Sequence, residues 1–251
     1  MSEESLEILF RDEYLIAVHK PPGIFVHRSP MSPPAEPNVV RMLRQQIGQL
    51  VTPVHRLDRA TSGVLLFAFD TDTAREMSRR YSERAVSKRY VALVRGYTMD
   101  QLTIEYPLKP YRDGLTGGKS GDVNAQEAVT EIRTICRCEI PYSAGRYATS
   151  RYSLIEAAPL TGRRHQIRRH LNRVSHPVIG DVRHGDNRHN HLLKELCGLN
   201  CMLLAARRLK FEHPVTELQT VIDAPLRPEF LPTLKFLGLP EDIQGGGTPA
   251  E

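Results

Sequence analysis

Hydrophobic and polar positions follow one another in short runs along most of this chain, with a few stretches of helical period between them. In LEILFRDEYLIAVHKPPG two apolar runs flank the polar turn Arg11–Asp12–Glu13, and Pro21–Pro22–Gly23 ends the second, which predicts two short strands. Val40, Leu43 and Ile47 share one helical face and Gly48 is a natural stop, predicting a helix over 39–47. Val64 to Phe69 is a continuous apolar run, as expected of a strand buried on both faces. A helix follows from Thr73, with Ala74, Met77 and Tyr81 inward, arginines outward and capping oxygens on Asp70, Thr71 and Asp72. KRYVALVRG predicts another strand, closed by Gly96, and Ala128–Cys136 and Tyr152–Ala157 two more. In RRHQIRRHLNRV, Ile167, Leu171 and Val174 mark the inner face of a helix for which Thr161 is the expected cap. Cys201–Phe211 reads as a strand, and Phe230, Leu234 and Leu237 as a last helix ended by Gly238.

Between these elements lie a proline-rich loop at 29–37, a polar glycine-bearing loop at 109–126 and a tail, 241–251, expected to be disordered. Strands outnumber helices, and several connections are too short for crossovers between parallel strands. The expected class is therefore α+β, with a mostly antiparallel mixed sheet flanked by helices. No linker interrupts residues 6–240, which are expected to form a single catalytic domain.

The apolar fraction of 40% and charged fraction of 25% are those of an ordinary globular protein. No run approaches a membrane span, and MSEESLEILF lacks the basic flank and apolar centre of a signal peptide. With 4 cysteines and no scaffold spacing, cytoplasmic residence is the default expectation, with no membrane contact. The net charge of +5 points moderately to a polyanionic partner. Its distribution is more informative, because arginines crowd residues 75–95 and 151–173. The planar guanidinium fork suits phosphates and base edges better than an ammonium does.

Two constellations could carry chemistry. In HRLDRATSGVLL, residues 55–66, Asp58 precedes a small-residue turn into a buried strand. Such a turn is a rigid mount for a reactive group, and nearby guanidinium charge favours an ionised, nucleophilic carboxylate. The same residues equally suit an Asx-type turn with solvent-facing arginines, and local chemistry leaves both open. In LTGRRHQIRRHL, residues 160–171, helical spacing sets His165, Arg168 and Arg169 side by side. Basic charge at a helix N-terminus opposes the macrodipole unless an anion sits there. His184, His189, His191, Cys197 and Cys201 form a loose cluster whose spacing matches no zinc pattern, so no metal is expected. Cys136 and Cys138, two apart on a strand, are expected to pack on one face.

Taken together, the blocks HRLDRATSG, SKRYVALVRG, LTGRRHQIRRHL, HPVIGD and KPPGIFVH resemble, in order, those of the large family of RNA pseudouridine synthases. The resemblance covers roughly residues 6–225. It implies the pseudouridine synthase fold and an isomerase that converts uridine to pseudouridine, with no cofactor. Its site residues would be Asp58 as nucleophile on the uracil ring or the ribose, Tyr90 stacking on the base, and Arg168 paired with Asp58. Arg56 would fill the space of the flipped nucleotide, with Leu57 turned into the core. The RNA-binding set would be Arg56, Lys88, Arg89, Arg163, Arg164, His165 and Arg169. Leu204 departs from the family, which commonly has a histidine before that alanine.

The strand block begins near residue 6, so the N-terminal RNA-binding module of many members is not expected here. GRYATSRYSLIEAAPLTGRRHQIRRHL and QIGQLVTPVHRLDRATSGVLLF most resemble a tRNA-modifying branch. That implies tRNA as partner, with the uridine at position 65 as target and no obligate protein partner. The alternatives are a ribosomal RNA enzyme of the same family and a non-catalytic RNA-binding protein on the same fold. A metal-dependent nuclease would need clustered carboxylates, and none accompanies Asp58 in sequence.

Overall fold

The computed structural model describes residues 5–27, 36–110 and 124–243. Most of the two predicted loops and all but the first three residues of the tail fall outside that set. The predicted hairpin is present as β1 (Ile8–Arg11) and β2 (Leu15–Lys20), turned at Asp12, whose carboxylate accepts from the Tyr14 and Leu15 N–H groups. The 39–47 helix is α1 (Val39–Ile47), capped by Asn38 and ended by Gly48 in the left-handed conformation. A two-residue β3 (Thr52–Pro53) leads into β4 (Ser62–Ala68), every residue of which is buried, as its unbroken apolar run demands. Asp70 caps α2 (Thr71–Ser82), accepting from the Asp72 and Thr73 N–H groups.

Next come β5 (Ser87–Arg95), β6 (Gln101–Glu105), β7 (Val129–Ile140) and β8 (Ser150–Pro159), joined as antiparallel neighbours. Then α3 (Gln166–Arg173) and α4 (Asn187–Cys197) precede β9 (Leu204–Glu212), β10 (Gln219–Asp223) and the closing α5 (Leu231–Phe236). The main path of the sheet is β1-β2-β4-β9-β5-β8-β7-β6, with β3 paired to β4 and β10 to β9. Among the described residues, only β4 and β9 pair in parallel, so the sheet is mixed but mostly antiparallel. Helices cover both faces. One carries α1 over Ile16, Val18, Leu65 and Phe67, and α3 over Ala92, Val94, Ile155 and Ala157. The other carries α2 over Leu15, Val64 and Leu66, and α4 with α5 over Val91, Leu93 and Leu154.

The parallel pairing is the pivot of the sheet. It spans only Ser62–Gly63 against Ala205–Ala206, because β10 takes the same edge of β9 from Arg208 onward. Gly63 is required there. Its φ is +111°, and a Cβ would stand 2.1 Å from the Ala206 carbonyl oxygen.

Four elements escaped the hydrophobic pattern: β3, β6, β10 and α4. In β6 and β10 a single residue each, Ile104 and Ile222, is fully buried; β6 alternates over only five residues, too short a run to stand out, and in β10 Val221 and Ile222 are adjacent and break the alternation. In α4 only Leu193 is fully buried, within a run of His, Asn and Lys. The α3 boundary also differs. The helix starts at Gln166, after His165 in the left-handed conformation at φ 54°, and Thr161 does not cap it. Thr161 instead donates to Gln166 Oε1 at 2.7 Å and accepts from the Val129 N–H at 3.1 Å.

Candidate active site

The turn His55–Gly63 hangs on fixed points at both ends. His55 Nε2 accepts from the Leu66 N–H at 3.1 Å, and its ring stacks on Tyr81 with centroids 5.1 Å apart. Burial and the neighbouring Lys88 charge hold the His55 pKa down to about 4, which keeps Nε2 available as an acceptor. Leu57 is buried among the α1 contacts, as the alternation Arg56–Leu57–Asp58 implies. The turn closes where the Thr61 N–H donates to the Asp58 carbonyl at 3.1 Å.

Beneath it lies Lys20, fully buried at the end of β2. Its ammonium donates to the carbonyls of Pro21, Arg59 and Thr61 at 2.9, 3.0 and 2.8 Å. Burial lowers its pKa to about 7, against the opposing charge of Asp58. Lys20 therefore ties the segment after Asp58 to the end of β2, a role not visible in its lysine–proline setting. Arg59 also gains a role. It donates to the Gly23 carbonyl at 2.8 Å and lies over the Phe25 ring at 4.8 Å, tying the turn to the segment before α1.

From the other side, α3 brings Arg168 to the carboxylate. Arg168 Nη1 donates to Asp58 Oδ2 at 2.9 Å, while Nε and Nη2 bind Asp181 Oδ2 and Oδ1 at 2.7 and 2.8 Å. Asp181 is buried; its own burial would raise its pKa, but the Arg168 bonds and charge and the Arg183 and His184 N–H groups hold it below the usual range. The fork of Arg168 is thus fixed on one edge and presents the other to Asp58. Sequence reasoning missed Asp181, although it ends the HPVIGD block. Gln166 pins the start of α3: its Oε1 accepts from the Arg163 N–H and the Thr161 hydroxyl, and its Nε2 donates to Val129 O and Thr130 Oγ1.

His165 Nε2 stands 3.8 Å from Asp58 Oδ1, and its Nδ1 is 2.9 Å from His184 Nε2. Burial holds the His165 pKa down to about 4, Asp58 opposing and Arg168, His184 and Arg164 reinforcing. A lone pair on Nε2 would face the carboxylate. The neutral arrangement that avoids this puts the proton on His165 Nε2 and has His184 Nε2–H donate to His165 Nδ1.

Asp58 opens into a cavity of about 650 Å³. Tyr90, on β5, lines it and bridges the α1 and α3 cores. Burial, with the Asp58 charge adding to it, pushes the Tyr90 hydroxyl pKa far above its usual value, so the ring stays neutral. Arg56, Lys88, Arg163, Arg164, His165 and Tyr81 also line the cavity. Arg89 and Arg169 are not part of the lining; Arg89 points across the alternation of β5 to Glu156 at 3.6 Å. Leu204 is buried against the cavity wall, so an apolar contact stands where the family commonly has histidine.

The His/Cys cluster disperses. His189 Nδ1 meets the Tyr152 hydroxyl, His191 Nδ1 accompanies Asn187 O, and Cys197 donates to Leu193 O on α4. Among the described residues no three His, Cys, Asp or Glu side chains converge as metal ligands, and no helix is long and apolar enough to cross a membrane. Cys136 and Cys138 pack against one core, as their spacing implies.

Chemically, the pocket offers one carboxylate facing the cavity, a neutral aromatic ring, a neutral imidazole and a cationic rim. The family model described as RNA pseudouridylate synthase matches residues 14–173. A tRNA pseudouridine synthase C of Haemophilus ducreyi is 46% identical over 87% of this chain and 90% of that protein. One of Vibrio cholerae is 42% identical over 95% and 98%. Among solved structures, human RNA pseudouridylate synthase domain containing 1 superposes with a TM-score of 0.70 at 26% identity, covering 93% of this chain and 88% of that one. Fold and sequence agree: the chain belongs to the RNA pseudouridylate synthase family, and it is an isomerase acting on RNA.

Proposed function

We propose that this enzyme isomerises uridine to pseudouridine in tRNA, at position 65, through Asp58 as nucleophile on a flipped-out base. The tRNA reading is supported by the names of its relatives at 41–46% identity. The observation that carries the mechanism is the chain Asp181–Arg168–Asp58, which aims one carboxylate oxygen while both Asp181 oxygens are occupied. Extruding a base costs a few kcal/mol, and the cationic rim of Arg56, Lys88, Arg163 and Arg164 suits the phosphates that would offset it.

In this reading Tyr90 stacks on the extruded uracil, and Arg56, exposed at the rim, occupies the vacated stack. Asp58 forms a bond to the nucleotide, and the N1–C1′ bond breaks. The ring turns, C5 joins C1′, the bond to Asp58 breaks and returns the free carboxylate, and the C5 proton leaves as N1 gains one, so atoms and electrons balance without an external reductant. Arg89 and Arg169, outside the lining, contact flanking RNA.

The test is tritium release from tRNA labelled at uridine C5. Wild type releases tritium, and Asp58→Asn lowers turnover at least about 10⁴-fold with tRNA affinity within a few fold. Equal release from the variant would sink the nucleophile assignment; release from ribosomal RNA alone would sink the tRNA assignment. Affinity should also fall steeply with added salt as counterions are released.

A further inference from the structure

A second cleft, of about 630 Å³, lies at the other end of the strand that carries Tyr90. Tyr90 lines the catalytic pocket and Arg95, which ends β5, lines this cleft. Five residues at about 3.3 Å each set their backbones roughly 17 Å apart, and the odd spacing turns the two side chains to opposite faces of the sheet, Tyr90 toward α3 and Arg95 toward the start of α4. Arg95 is the fixed floor: it pairs with Asp186 at 2.5 Å and donates to Ser175 O at 3.0 Å. The rim is open and cationic. The Arg188 side chain is 71% exposed and folds across Gly145, where a Cβ would lie 3.2 Å from Nη1.

Arg146, also exposed, rests against a ring and not an acid, 5.7 Å from the centroid of Tyr147. Arg151 lies 5.1 Å over Tyr97. Tyr147 itself is 71% exposed, with its ring face open beside Arg146. Two carboxylates, Asp186 in the cleft and Glu139 beside Arg151, stand against the arginines 95, 146, 151 and 188.

We propose that this cleft is a second RNA contact, in which Arg146 and Arg188 take backbone phosphates and Tyr147 stacks on a base. Surplus guanidinium charge interleaved with exposed tyrosine rings is the chemistry of a nucleic-acid platform. A folded RNA whose uridine enters the catalytic pocket would reach this cleft by passing round the end of the sheet to its α4 face. The proposal rests on the RNA reading of the pocket and extends it to the far side of the same strand.

The experiment compares wild type with Arg146→Glu/Arg188→Glu and with Tyr147→Ala. Full-length tRNA is set beside a stem-loop too short to leave the catalytic pocket. For the double variant KM and Kd on tRNA should rise about tenfold or more, with the slope of log K against log salt shallower by about two. Tyr147→Ala should raise Kd about fivefold or more. The stem-loop should show changes within about twofold, and thermal melts should match wild type. An unchanged Kd and salt slope on tRNA would overturn the proposal, as would equal losses on both RNAs. If the variants keep RNA affinity but lose binding to polyglutamate, the cleft docks an acidic polypeptide and the RNA assignment fails. Wild type that binds tRNA through this cleft yet turns over no RNA would refute the catalytic reading alone.

Discussion

Two arginine-rich segments look alike in the sequence and behave oppositely in the fold. Along α2 the guanidinium groups are occupied mostly by carboxylates within four residues, Arg75 with Asp72, Arg79 with Glu76 and Glu83, Arg80 with Glu76, and Arg80 alone also reaches a distant acid, Glu212 on β9. Most of these pairs are exposed, where such contacts contribute little. In α3 Arg168 is buried, and its partners Asp181 and Asp58 come from other parts of the chain. Local partners neutralise a surface stripe. Distant partners, with water excluded, turn the same side chain into a positioning device for a carboxylate. Charge counting cannot separate the two, because it ignores where the counterions sit.

The contrast can be broken most decisively at the α3 end. After the loss of turnover expected for Asp58→Asn, the next largest effect should come from Asp181→Ala. Removing one partner of a buried pair costs about 3–5 kcal/mol, and the freed Arg168 should misplace Asp58 enough to lower kcat about 10²-fold. Denaturant unfolding and single-turnover rates read the two effects separately. A stability loss with wild-type kcat would reduce Asp181 to a structural role. Arg168→Lys keeps the charge but loses the fork, so it should recover stability in part and kcat hardly at all.

A smaller effect should appear with pH. His55 and His165 are held near 4 in the fold, against 6.5 for an ordinary histidine. Their contribution to stability is complete above pH 6.5 and is lost as pH falls toward 4, because the unfolded chain binds the protons first. Each histidine should account for about 2.5 kcal/mol at most by pH 4.5. Unfolding measured from pH 7.5 to 4.5 checks this, and a flat profile would show that neither ring is held neutral. The smallest effect belongs to α2: Arg79→Ala should move Tm by less than about 2 °C and leave tRNA turnover within twofold. A larger loss of turnover would return α2 to the RNA footprint.

The legible parts of this fold are those whose signal is short-range. The apolar run of β4, the Val39–Ile47 helix stopped by Gly48 and the Asp70 cap are all present where the pattern puts them. The misses have equally local causes. Edge strands such as β6 and β10 bury one side chain each, and α4 hides its single fully buried leucine among polar residues. Thr161 looked like a cap, but the left-handed turn at His165 delays the helix to Gln166, and the hydroxyl serves that glutamine.

For the site, the ordered blocks identified Asp58, Tyr90 and Arg168, and the cavity contains all of them. Lys20 and Asp181 lie inside quoted blocks and His184 inside the His/Cys cluster, but nothing there marked their roles, since what distinguishes them is which groups they meet in the fold. By itself the sequence determined the elements, their amphipathic faces, the mount of Asp58 and the family. Only the tertiary structure decided which charges meet. Arg168 and Asp58 are 110 residues apart, and they touch because the sheet order sets α3 beside the start of β4. Periodicity records which face of an element avoids water, but a hydrogen bond between distant side chains depends on the packing of every element between them.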